Sequence, residues 1–182
     1  ILARHGEVWF TCIPDLWKLT IDDLRLTNQT TAAARKSKIV NRKLLATGFG
    51  VHIGVSGHDL HGLVMGPDGK IYFSSGDRGF SVRTKEGKFL NNPDSGGVLR
   101  CNPDGSDLEI FATGLRNPQE LAFDQFGNLF TDDNDTAGED KSRLIYVVEG
   151  GDYGWRASYQ FMDGYGPWVQ EKNWLGGIDG TL

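Results

Sequence analysis

The sequence predicts an all-β fold made of stacked four-stranded antiparallel units, the blades of a β-propeller. Three observations predict it. First, 25 glycines are spread between short apolar runs rather than clustered, a distribution that suits a turn-rich β protein. Second, Leu63–Asp77 is repeated by Leu121–Asp135, each position 58 residues after its partner. Third, Leu44–Phe49 and Ile110–Leu115 are near-identical and stand 66 residues apart. A period near 60 with four short strands per unit fits propeller blades. About three units fall in this chain, at 1–50, 58–115 and 116–182. Three sheets do not close a ring, so about three more blades are expected to complete a six-bladed one. The alternative is a small β-sandwich.

The units read as follows. Gly6-Glu-Val-Trp-Phe-Thr11 matches Gly69-Lys-Ile-Tyr-Phe-Ser74 and opens the first unit. Residues 20–43 are polar and increasingly basic, with Arg35, Lys36, Lys38, Arg42 and Lys43. They are expected to form an exposed loop, or a short surface helix around Thr30–Lys38, with the charges solvated. Leu63–Asp77 reads as strand, turn, strand and an Asp-bearing loop, the turn ending in Gly69. Gly127 takes that place in the third unit, where a hairpin turn needs φ > 0. Val98–Gly105 and Leu144–Gly151 each run as a short apolar strand into a polar turn. The tail beyond Trp155 is rich in aromatics and glycine, and is expected to pack on the propeller face.

Composition excludes several classes. A net charge of −5 argues against a nucleic-acid binder, and no apolar stretch approaches the ~20 residues of a membrane span. No signal peptide is visible. The absent initiator Met and the open ending at Asp179-Gly-Thr-Leu182 suggest part of a longer polypeptide. Cys12 and Cys101 lack metal-like or haem-attachment spacing and are expected to be small buried residues.

The repeat also places candidate chemistry. His58 and Arg116 precede the first strand of their units by the same number of residues, and Asp77 corresponds to Asp135. Equivalent loops of successive blades meet at one mouth of the channel, so these side chains should share a hollow. An Asp that accepts the Nδ1–H of His58 would leave Nε2 as a base; Asp77, one hairpin away, is the candidate. The alternative is that each serves only its own turn. Arg116 and Asn117 offer a guanidinium and an amide for an anionic ligand, or Arg116 pairs with Asp132, Asp133 or Asp135. Asp132-Asp133-Asn134-Asp135, with Glu139 and Asp140, is the densest run of oxygen donors. It is either a hard-cation site or a solvated acidic loop. His61 is read as structural.

His58–Asp77, Gly97-Val-Leu-Arg100, Thr113–Phe123 and Gly150-Gly-Asp-Tyr-Gly-Trp155, in that order and spacing, resemble the glucose/sorbosone dehydrogenase family of soluble quinoproteins. Within it the chain is most similar to propeller modules of membrane-bound dehydrogenases from planctomycete-type bacteria, which often carry a C-terminal c-type haem domain. The resemblance implies six blades, with pyrroloquinoline quinone and Ca²⁺ at the channel mouth. It implies His58 as the base, Asp77 as its support, and Arg116 and Asn117 as cofactor contacts. Asp133 and Asn134, with Asp135 beside them, would lie on the loop that holds Ca²⁺ against the quinone. The implied substrate is a sugar or related alcohol and the acceptor a cytochrome c, outside the cytoplasm. Haem c would belong only to a domain beyond this chain. The chain departs from the family at Gly57, where an acidic residue can precede the base, and at Val82 and Arg83, where the sugar enzyme has an amide and an apolar stacking residue. The Gly-Pro pair that gives carbonyls to the metal is also absent from 133–140. The rival readings are a non-catalytic propeller that docks a polysaccharide or partner domain, and a Ca²⁺-dependent hydrolase using the same His–Asp pair on a lactone.

Overall fold

The computed structural model describes residues 1–22, 38–50, 57–134 and 142–156. Every regular element among them is a strand. The first sheet is β1 (Leu2–Arg4), β2 (Glu7–Cys12), β3 (Asp15–Asp22) and β4 (Lys38–Thr47), in that order. The second contains β5 (Leu60–Met65), β6 (Ile71–Ser75), β9 (Gly96–Cys101) and β10 (Glu109–Leu115). Between β6 and β9 the chain makes a separate hairpin of β7 (Phe80–Arg83) and β8 (Phe89–Asn92). The third sheet is β11 (Leu121–Phe123), β12 (Leu129–Asp133) and β13 (Arg143–Val147). Finally β14 (Gly151–Asp152) returns to the second sheet and pairs in parallel with β10, Ala112 opposite Gly151 and Thr113 opposite Asp152. The fold is all-β and of the propeller type.

Side-chain alternation shows why the sheets stack. In β6 every residue is buried, because both faces of the second sheet are covered. Ile71 and Phe73 join Leu99, Cys101, Phe49 and Leu16 in a core against the first sheet. The intervening Tyr72 joins Val98, Leu121, Leu129 and Ile145 in a core against the third. Phe49 meets Phe73 edge-on at 5.5 Å, and Tyr72 meets Phe123 edge-on at 5.1 Å. Burying each such ring stabilises the stack by roughly 1.5–3 kcal/mol. The first strands β1 and β11 both lie against β5, so successive sheets present their leading strands to one another.

Three expectations are corrected. The polar stretch 20–43 is not all loop: Thr20 pairs with Asn41 and Leu19 with Arg42 in the β3–β4 ladder. Its basic residues fit there because β4 is an edge strand, where charge is tolerated and discourages further pairing; Arg42 lies over the Trp17 ring at 4.9 Å. The short helix around Thr30–Lys38 falls almost wholly outside the described residues, as does the aromatic tail beyond 156. Cys12 is exposed rather than buried, whereas Cys101 is buried and both are free thiols; burial pushes the Cys101 thiol up to about 12. The β7–β8 hairpin and the return of β14 also depart from a simple run of four-stranded units.

Candidate active site

His58 and Asp77 sit at the two ends of the β5–β6 hairpin, where antiparallel strands bring their outer ends back together. His58 Nδ1 lies 2.8 Å from Asp77 Oδ1, and both side chains are about nine-tenths buried. Among the described residues His58 Nε2 has no hydrogen-bond partner, so the proton belongs on Nδ1 and Nε2 is left as acceptor. The strand ends are packed closely. A Cβ on Gly76 would fall 2.6 Å from the His58 carbonyl carbon, and Gly76 N donates to Asp59 O at 2.8 Å. His61 Nε2 lies 2.7 Å from Gly57 O, at the peptide before His58, which agrees with a structural part for it. Burial pushes the neighbouring Asp59 carboxyl up, against the opposing pull of His61 and His58.

Arg116 and Asn117 follow β10 and come to the same end of the second sheet as Asp77. Asp77 N donates to Arg116 O at 2.6 Å, which ties the second unit's base pair to the third unit's entry loop. Asp133 holds that loop from below. Its Oδ1 accepts from Asn117 N at 2.7 Å and Arg116 N at 3.0 Å, and its Oδ2 accepts from Arg143 at 2.7 Å. Its side chain is 1% exposed, and burial pushes its carboxyl up despite the amides and Arg143. The Arg116 guanidinium lies over the Trp155 ring at 5.5 Å, and Trp155 Nε1 donates to Asp77 Oδ2 at 3.2 Å. Residues 58, 77, 116 and 155 therefore share one cluster, drawn from the segments before β5, after β6, after β10 and after β14.

A family model for Glucose / Sorbosone dehydrogenase matches residues 18–172. The chain belongs to this family. It is 35% identical over 136 residues to quinoprotein glucose dehydrogenase B of Acinetobacter calcoaceticus, covering 59% of this chain and 28% of the relative. It is 26% identical over 158 residues to the HIPL1 protein of Arabidopsis thaliana, covering 71% and 23%. The chain thus spans about a quarter of the length of these curated relatives. Its fold is shared with the PQQ-bound aldose sugar dehydrogenase of Streptomyces coelicolor at a TM-score of 0.51 and 22% identity, over 88% of this chain and 46% of that one.

Two groups implied by the family can be tested against the described residues. A flat anionic cofactor fits. Arg116 offers a planar cation whose Nε is buried without a hydrogen-bond partner, whereas the unpartnered Asn117 Oδ1 can only accept, and suits a donor group rather than a carboxylate. A calcium ion on Asp133 does not fit. Among the described residues that carboxylate's neighbours are donors, and both its oxygens are engaged by two backbone amides and a guanidinium. No group of three or more potential ligands forms among the described residues, and Asp135 lies outside them. Arg116 reaches the Asn134 carbonyl oxygen at 3.5 Å. Val82 is fully buried in the first core, so its side chain packs the hairpin. Trp155 is the site residue that motif reading quotes without a role. Its only sequence signal is the Gly-Asp-Tyr-Gly-Trp run, which does not disclose that the run folds back past β11, β12 and β13 to pair with β10.

Proposed function

We propose that the chain supplies the base-bearing part of a quinone-dependent dehydrogenase that oxidises a sugar or related alcohol. The observation that carries this is the largely buried His58–Asp77 pair, with Nε2 uncommitted and Arg116 in the same cluster. His58 Nε2 takes the proton of the substrate hydroxyl, and Asp77 holds the ring and stabilises the imidazolium that results. Arg116 and Asn117 bind the planar cofactor beside the base, the former by charge and by its flat face. Bound pyrroloquinoline quinone would supply the two-electron acceptor for the hydride leaving the alcohol carbon. The family name and the quinoprotein relative support this reading, as does His58 Nε2, which has no hydrogen-bond partner among the described residues. A cytochrome c acceptor and a site outside the cytoplasm go with the same reading. Among the described residues no helix is long and apolar enough to cross a membrane.

The test is dye reduction by the full-length protein with pyrroloquinoline quinone, with and without Ca²⁺, over a panel of sugars and polyols. Turnover is expected, falling by about 10²–10⁴-fold in His58→Ala. Lactone cleavage without quinone would replace this reading with a hydrolase on the same pair. No turnover and no bound quinone would replace it with a docking propeller.

A further inference from the structure

We infer that Trp155 is a positioning residue for the base, acting through Asp77; its relevance to turnover rests on the function proposed above. Asp77 is gripped at three points. Its Oδ1 takes the His58 ring at 2.8 Å, its Oδ2 takes the Trp155 indole N–H at 3.2 Å, and its backbone N donates to Arg116 O at 2.6 Å. A carboxylate engaged at both oxygens does not rotate about its last bond. Oδ1 is therefore kept toward Nδ1, which holds the histidine in the tautomer that leaves Nε2 as acceptor.

Trp155 is itself fixed. It is 3% exposed, and its backbone N donates to Gly114 O at 2.8 Å, after Tyr153 N has donated to Thr113 O at 3.0 Å. Gly114 makes this approach feasible. It has φ +76°, and any Cβ there would fall against Asp152 and 2.5 Å from Gly154 N. Arg116 over the indole adds a cation on its face. The return of β14 to the second sheet thus delivers an N–H donor to the rear of the base's own partner. A tryptophan used only for packing would need no acceptor at that position.

The experiment is Trp155→Phe in the full-length protein, which keeps a ring under Arg116 and removes the N–H. Long-range ¹H–¹⁵N correlations of the histidine rings report the His58 tautomer without requiring turnover. The wild type is expected to show the proton on Nδ1 alone. Trp155→Phe is expected to show a mixture of tautomers, and where the dehydrogenase is active, a kcat about tenfold lower with KM little changed. An unchanged tautomer in a folded Trp155→Phe overturns the inference. If that variant fails to fold, the wild-type indole N–H decides. Slow exchange with solvent, and a resonance that moves in Asp77→Ala, support the contact; rapid exchange and no response overturn it. A protein that shows the tautomer change but no dehydrogenase activity retains the Trp155 role and loses the proposed reaction; an active enzyme with its tautomer unchanged does the reverse.

Discussion

Asp77 and Asp133 are largely buried acids that both contact the Arg116 backbone, and their partners separate their roles. Asp77 faces an imidazole and an indole N–H, so its charge is available to a proton-accepting histidine. Asp133 faces two amides and Arg143, so its charge is spent on holding the Arg116–Asn117 turn. Asp133→Ala should cost about 3–5 kcal/mol, read as a lower urea midpoint, because it removes a buried acceptor shared by Arg143 and two backbone amides. Gly76→Ala tests the other acid's neighbour. Its methyl would press on the His58 backbone, which cannot yield without moving the base. A loss of kcat on the order of 10²-fold is expected with the far-ultraviolet spectrum retained. The His58–Asp77 pairing was legible in the sequence because one hairpin separates the two. The anchoring role of Asp133 was not, since an acid in a run of acids reads as a metal ligand or a solvated loop until its donors are seen.

At the scale of elements, the strands follow from pattern and the extra connections do not. The β5–β6 and β11–β12 hairpins fall where the 58-residue repeat puts them. The β7–β8 hairpin has only four residues a side, too few for alternation to separate it from a loop. β14 is shorter still, and its partner is set by Gly114 rather than by its own residues. Arg100 joins these elements. It reaches Glu109 on β10 at 2.6 Å, Glu149 after β13 at 2.7 Å and Tyr72 on β6 at 3.2 Å, and lies over Phe111 at 4.9 Å. Arg100→Leu should lower stability by about 1–2 kcal/mol in chemical denaturation, limited by the exposure of its two acids.

For the whole molecule, pH acts through carboxylates displaced in opposite directions. Asp104 is pushed down to about 2 by the Ser106 hydroxyl and amide, and Asp124 and Asp152 are held low by Asn128 and Arg156. Their folded values lie below the unfolded ones. Their contribution is present above the ordinary carboxylate range and is lost as pH falls through the folded values. Asp59 and Asp133 are raised, so theirs is present at low pH and is lost as pH rises through their folded values. Because the lowered groups are more numerous, the urea midpoint should fall as pH drops from about 5 to about 2. A midpoint that rises over that window would contradict these assignments. The outer face of the third sheet leaves Leu144 and Tyr146 exposed among the described residues; in the six-bladed ring we propose, a further sheet would lie on it.

The sequence by itself determined the repeat, the β5–β6 and β11–β12 hairpins, and His58 and Asp77 as candidate partners. All three depend on local alternation, turn chemistry and the recurrence of equivalent residues at equivalent places. Only the tertiary structure decided which acid is an anchor and which tryptophan stands behind the base. Those contacts join Asp77 to Trp155 within the second sheet and Arg116 to Asp133 between the second and the third, where partner choice follows from close backbone approach and burial rather than from spacing along the chain.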